Sequence, residues 1–183
     1  MKLNSSVITT LQQERSQHEV YPPATEADIK ETEIALGVRL PESYCKFVSE
    51  FSNGAYLYRC QEISAVGQGN QQIGALQHTY RPWTAGPHKV DDGQPIPIRE
   101  GGYVTVDQLI PFAYDHNGNM WCFIVEKMQD HEYRVGYYDK FQPKLYGVMD
   151  SFHDWLNVCV SHREEVIRAI FDDDVIVHEL GLG

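Results

Sequence analysis

Paired cysteines, metal-spaced histidines and long apolar runs are all missing from this chain of 183 residues. Its cysteines, Cys45, Cys60, Cys122 and Cys159, form no CxxC pair and sit among apolar or aromatic neighbours. Such thiols read as small buried side chains in a reducing compartment rather than a disulfide framework. No two of the eight histidines fall at the HExxH or HxxxH spacing that sets two imidazoles on one helix face. A GxSxG elbow is absent, and Gly67-Gln68-Gly69 lacks the third glycine, the preceding strand and the following helix of a dinucleotide loop. No stretch reaches the roughly 20 apolar residues that span a bilayer. The opening MKLNSSVITTLQQERSQ turns polar without the apolar core of a signal peptide. The expectation is a cytoplasmic protein with no catalytic residue, no cofactor, no metal and no membrane partner.

Positive charge is also scarce: 15 Lys and Arg face 26 Asp and Glu, a formal net charge of −11. From Asp150 onward eight acids stand against Arg163 and Arg168 alone. Nucleic acid and anionic membrane are held by Lys and Arg neutralising phosphates, so this surface repels both and favours a basic partner.

What remains is enough for one core. A chain of this length falls within the range of a single domain, residues 1–183, and buries roughly 70% of its extended surface without a staple. A helix is expected over Ser5–Gln17, with Val7, Ile8 and Leu11 on one stripe, ended by Tyr21-Pro22-Pro23. Thr25 and Asp28 have capping-box spacing for a second helix, and Gly37 supplies its left-handed exit. Pro41 opens a third, where Tyr44, Phe47, Val48 and Phe51 recur at helical intervals before Asn53-Gly54. A strand is expected over 55–59, where Tyr56 and Tyr58 at i and i+2 share a face. Periodicity then vanishes over 60–102, which reads as an irregular surface excursion of a length that is often functional. Strands return near 111–114, 120–127 and 133–139. Asn117-Gly118 signals a type I′ hairpin, and a further turn lies near Asp130. Ser151 with Asp154 caps a long last helix within an acidic segment, 150–183. The order predicts an α+β fold: an antiparallel meander packed against N-terminal helices and a long C-terminal helix.

Two acidic patterns stop short of chemistry. Asp115, Asn117, Asn119 and Glu126 match several positions of a calcium loop, but Met120 stands where the sixth-position glycine is required. Asp91-Asp92 lie side by side, whereas the carboxylate pair of a glycosidase flanks its substrate from different elements.

Three runs carry a resemblance. Thr25–Gly54 (TEADIKETEIALGVRLPESYCKFVSEFSNG) contains Glu33, Gly37, Leu40, Pro41, Tyr44, Phe47, Asn53 and Gly54 in the order of the opening helices of the SUKH superfamily. Leu109–Val125, through Pro111, Phe112, Asp115 and Gly118, is similar to the family's hairpin, and DSFHDWL (150–156) is similar to the start of its last helix. The matched region covers most of 25–156. The resemblance implies a non-enzymatic binding role. Bacterial members of this type are immunity proteins that bind and neutralise a cognate toxin, often a nuclease, and eukaryotic members are regulatory scaffolds. Toxin immunity is the first expectation, an intracellular regulatory module the alternative, and an unrecognised hydrolase the third. The expected partner surface comprises the aromatic anchors Tyr56, Tyr58 and Trp83 with the loop acids Asp91, Asp92 and Glu100. The expected core comprises Leu40, Tyr44, Phe47, Phe51, Phe112, Trp121, Phe152 and Trp155.

Overall fold

A computed structural model describes residues 5–87, 89–115 and 117–166. In chain order the elements are α1 (Ser5–Gln13), β1 (Glu19–Val20), α2 (Glu26–Leu36), α3 (Glu42–Glu50), β2 (Ala55–Leu57) and β3 (Gln61–Ile63). Then follow β4 (Ile96–Pro97), β5 (Tyr103–Val104), β6 (Leu109–Tyr114), β7 (Met120–Ile124), β8 (Val135–Asp139), β9 (Lys144–Met149) and α4 (Phe152–Ser161). Seven strands form one antiparallel sheet in the order β1-β2-β3-β6-β7-β8-β9, while β4 and β5 pair separately. The α+β expectation holds. The C-terminal segment is described only to residue 166, so Ile167, Ile170 and the acids of the tail lie outside the described residues.

The helices start and stop where local chemistry dictates. Thr25 accepts from the Asp28 N–H, and Asp28 accepts from the Thr25 N–H at 2.8 Å, closing the capping box. Gly37 leaves α2 at φ 71°, and Glu33 then reaches forward so that its carboxylate accepts the Leu40 N–H at 3.0 Å. The α1 stripe of Val7, Ile8 and Leu11 is buried, but the helix ends at Gln13 and continues as a 3₁₀ turn over Arg15–Gln17. Asn53 clamps Val66 from both sides, accepting its N–H at 2.8 Å and donating to its carbonyl at 3.3 Å. Gly54 sits at φ 77°, and a Cβ there would stand 2.7 Å from an Ile73 methyl.

The centre of the sheet is buried on both faces. Along β7, Trp121 and Phe123 enter one hydrophobic cluster, while Met120, Cys122 and Ile124 enter the other, as the two-residue period requires. This explains the unbroken apolar run MWCFI: a strand covered on both sides has no polar face to alternate with. The first cluster lies under α1, α3 and α4 and contains all eight expected core residues. Phe112 is its hub, stacked on Phe123 at 4.4 Å between ring centroids and edge-on to Phe152 and Trp155 at 5.4 and 5.0 Å.

The second cluster overturns the expectation for 60–102. That segment is not a surface excursion. It contributes β3 to the sheet and then carries Trp83, Val90, Ile96 and Ile98 across the second face, onto Met120, Cys122, Tyr138 and Leu145. It shows no helical period because its residues on this face are widely spaced, with Trp83 from a 3₁₀ turn, Val90 from a loop and Ile96 from the two-residue strand β4. It also covers the free edge of β9: Arg99 N–H donates to Leu145 O at 3.0 Å, and Glu100 accepts the Val148 N–H at 3.4 Å. An uncovered edge strand invites foreign pairing, so this cover blunts it.

The Asn117-Gly118 turn differs from expectation, while the turn near Asp130 falls where it was expected. Met120 pairs with Tyr114, whereas a two-residue Asn117-Gly118 loop would set it opposite Asp115. The loop is longer, and the Asp115 carboxylate accepts the N–H groups of Asn117 and Asn119, both at 2.9 Å. The turn near Asp130 is the tight one. Asp130 and His131 take φ 48° and 65°, and Gln129 and Glu132 exchange both backbone hydrogen bonds.

Candidate protein-binding surfaces

The tight turn positions a cleft of about 350 Å³ between the N-termini of α3 and α4. Helix α3 begins after Pro41, which has no side-chain acceptor for the free N–H groups of the first turn. Glu132 supplies it from across the fold, accepting the Ser43 N–H and hydroxyl, each at 2.7 Å. Glu126 is held by Arg134 at 2.6 and 3.1 Å, and Asp154 accepts from the Ser151 hydroxyl at 2.6 Å. The better-buried carboxylates of this cleft are therefore spent on caps and an ion pair.

Burial raises the Glu132 carboxyl above the ordinary range, opposed by the Ser43 hydrogen bonds and reinforced by the Glu42 and Asp154 charges. A raised folded-state value means that the contribution of this group to stability is full below its unfolded value and is lost as pH rises through the folded one. Glu132→Gln keeps an acceptor for Ser43 and removes the charge. Its stability relative to the parent, measured by urea unfolding, is expected to rise from pH 4 to pH 8. A difference that is flat or falls with pH contradicts the assignment. Glu132→Ala, which removes the cap, is expected to cost about 0.5–2 kcal/mol.

The expected anchors separate. Trp83 is 4% exposed, in the second cluster and edge-on to Tyr138 at 5.2 Å between centroids; it is a core residue, not a surface anchor. Tyr58 does not share a strand face with Tyr56, because β2 ends at Leu57 and Tyr58 and Arg59 turn at φ 50° and 58°. Its N–H donates to His18 Nδ1 at 3.0 Å and its hydroxyl to Glu14 at 3.1 Å, which ties the turn to the first helical segment. Asp91 and Asp92 are exposed, with Lys89 3.8 Å from Asp91. Glu100 is exposed yet engaged at the β9 edge.

Tyr56 belongs to a feature that only strand register reveals. Glu19 pairs with Tyr56, Tyr56 with Glu62, Glu62 with Tyr114, Tyr114 with Met120, Met120 with Tyr138, and Tyr138 with Leu145. These residues form one row across the second face. Its β7–β9 half lies in the second cluster. Its β1–β3 half does not: Glu19 is exposed, and Tyr56 and Glu62 are partly exposed. There Tyr56 Oη donates to Glu62 at 3.0 Å, and Tyr21 Oη donates to Glu19 at 2.9 Å. Both phenols are pushed up to about 12, chiefly by burial and then by these carboxylates, and so remain donors.

The cysteine thiols are all raised by burial, with Cys45 pushed up to about 12. Raised thiols of this kind are poor nucleophiles. Among the described residues no group of three or more His, Cys, Asp or Glu could hold a metal ion. Asp115, at the calcium-like run, serves its own turn and accepts from the Tyr137 hydroxyl. No helix among the described residues is long and apolar enough to cross a membrane.

A family model described as the SMI1 / KNR4 family (SUKH-1) matches residues 23–158. That span takes in α2, α3, the whole sheet from β2 to β9 and most of α4. No curated protein matches the chain.

Proposed function

The chain belongs to the SMI1 / KNR4 family (SUKH-1), and from that premise we propose that it is a non-catalytic binding domain that neutralises a cognate toxin protein in the cytoplasm by direct contact. The family match carries this reading, and the charge of the chain refines it. A nuclease toxin presents Lys and Arg to hold phosphate, so its working surface is basic. A protein of net charge −11 is drawn to such a surface, and complementary charge raises the association rate more than the affinity. Exposed acids such as Asp91 and Asp92 serve as steering rim charges, and Tyr56 serves as an aromatic anchor.

The test is binding to any toxin-like protein encoded beside this chain, measured as separate association and dissociation rates. Association is expected to slow as salt rises, and to slow further in Asp91→Lys and Asp92→Lys. Rates that ignore both salt and charge reversal sink the electrostatic part. A chain that binds no toxin but captures a regulatory protein supports the scaffold role that the same family match allows.

A further inference from the structure

The next inference rests on the reading above and names its surface. We propose that the open half of the sheet's second face, built from Glu19, Tyr21, Tyr56 and Glu62, receives arginine side chains from the basic surface of a partner protein.

The chain itself covers the β7–β9 half of this face with the segment through Trp83 and Ile98. It leaves the β1–β3 half as alternating carboxylates and phenol rings in strict cross-strand register. Each carboxylate has one oxygen bound by a tyrosine hydroxyl, from Tyr21 or Tyr56. Neither Glu19 nor Glu62 has a Lys, Arg or His within ion-pair distance among the described residues. Arg81 lies close enough to influence Tyr114 on the same face, but forms no ion pair with Glu62.

A half-buried carboxylate without a cation is costly to keep, and an incoming cation relieves that cost. Burial already raises the Glu62 carboxyl. Arginine suits the geometry better than lysine. Its planar fork can bridge the free oxygen of a carboxylate while its face lies on a neighbouring phenol ring. Tyrosine is also among the residues most enriched at interface hot spots. The acids exclude a nucleic-acid or anionic lipid surface here.

The experiment uses the full chain with two probes, an arginine hexapeptide and a lysine hexapeptide, at low and physiological salt. Amide chemical-shift mapping is expected to place the arginine probe at residues 19–21, 55–57 and 61–63. Its affinity is expected to exceed that of the lysine probe. Glu62→Gln preserves an acceptor for Tyr56 and removes the charge, and it is expected to weaken the arginine probe about tenfold. Tyr56→Ala removes the ring and is expected to weaken it similarly, with a thermal melt confirming the fold of both variants. Shifts that map instead to Asp91 and Asp92 or to the cleft between α3 and α4 overturn the proposal. So do two folded variants that bind like the parent. Toxin protection separates the two readings. If the variants protect as well as the parent, the ladder is not the surface while neutralisation stands. If the parent binds no toxin but the arginine probe still maps to the ladder, neutralisation fails while the ladder stands as an arginine-binding face.

Discussion

Trp83→Ala lowers stability by about 3–5 kcal/mol, and the folded variant dissociates from a basic partner at the parental rate. The ring fills the second cluster beneath the segment 60–102, in contact with Tyr138 and covering the side of the sheet that carries Met120, Cys122 and Leu145. The segment cannot collapse into the vacated volume freely. Its path is pinned by the Val90 N–H on the Trp83 carbonyl and by Arg99 and Glu100 on β9. A void therefore remains, and its cost adds to the lost transfer free energy. Urea unfolding measures the effect. A loss below about 1 kcal/mol, the range of an exposed site, together with faster dissociation, would return Trp83 to the surface.

Phe112→Ala is expected to cost about 3–5 kcal/mol as well, for a different reason. Phe112 is fully buried, with Phe123 stacked on one face and Phe152 and Trp155 against its edges. It joins β6, β7 and the start of α4. Aromatic pairs of this geometry contribute about 0.5–1.5 kcal/mol beyond the area they bury, so several are lost together. The change should appear as a lower denaturant midpoint. A parental midpoint would refute the placement of this ring at the centre of the helix-side core. The two truncations are best measured singly, because together they approach the 5–15 kcal/mol, roughly, that holds a typical domain folded.

Local rules were enough wherever a few neighbouring residues settle the outcome. Thr25 and Asp28, Gly37, the stripe from Tyr44 to Phe51, and Ser151 with Asp154 each act within one or two helical turns. Their sequence pattern therefore predicts the observed caps of α2 and α4 and the buried face of α3. The hairpin at Gly118 was equally legible as a hairpin. Its turn type was not, because the Asp115 carboxylate builds a longer loop than the Asn-Gly pair alone suggests.

The cap of α3 shows where such rules stop. Pro41 cannot supply an acceptor, and the missing one comes from Glu132, 89 residues away. Segment 60–102 fails for the same reason on a larger scale. Trp83, Val90, Ile96 and Ile98 are buried one at a time against strands that come later in the chain, so no local period marks them. The sequence by itself determined the acidic charge, the boundaries of α2 and α3 and the α+β order, since each follows from composition or from contacts within a turn or two. Only the tertiary structure decided that Trp83 is core, that Tyr58 faces Glu14 and His18, and that Glu19, Tyr56 and Glu62 stand in one row. Strand register joins residues that are tens of positions apart, and no pattern along the chain encodes which of them become neighbours.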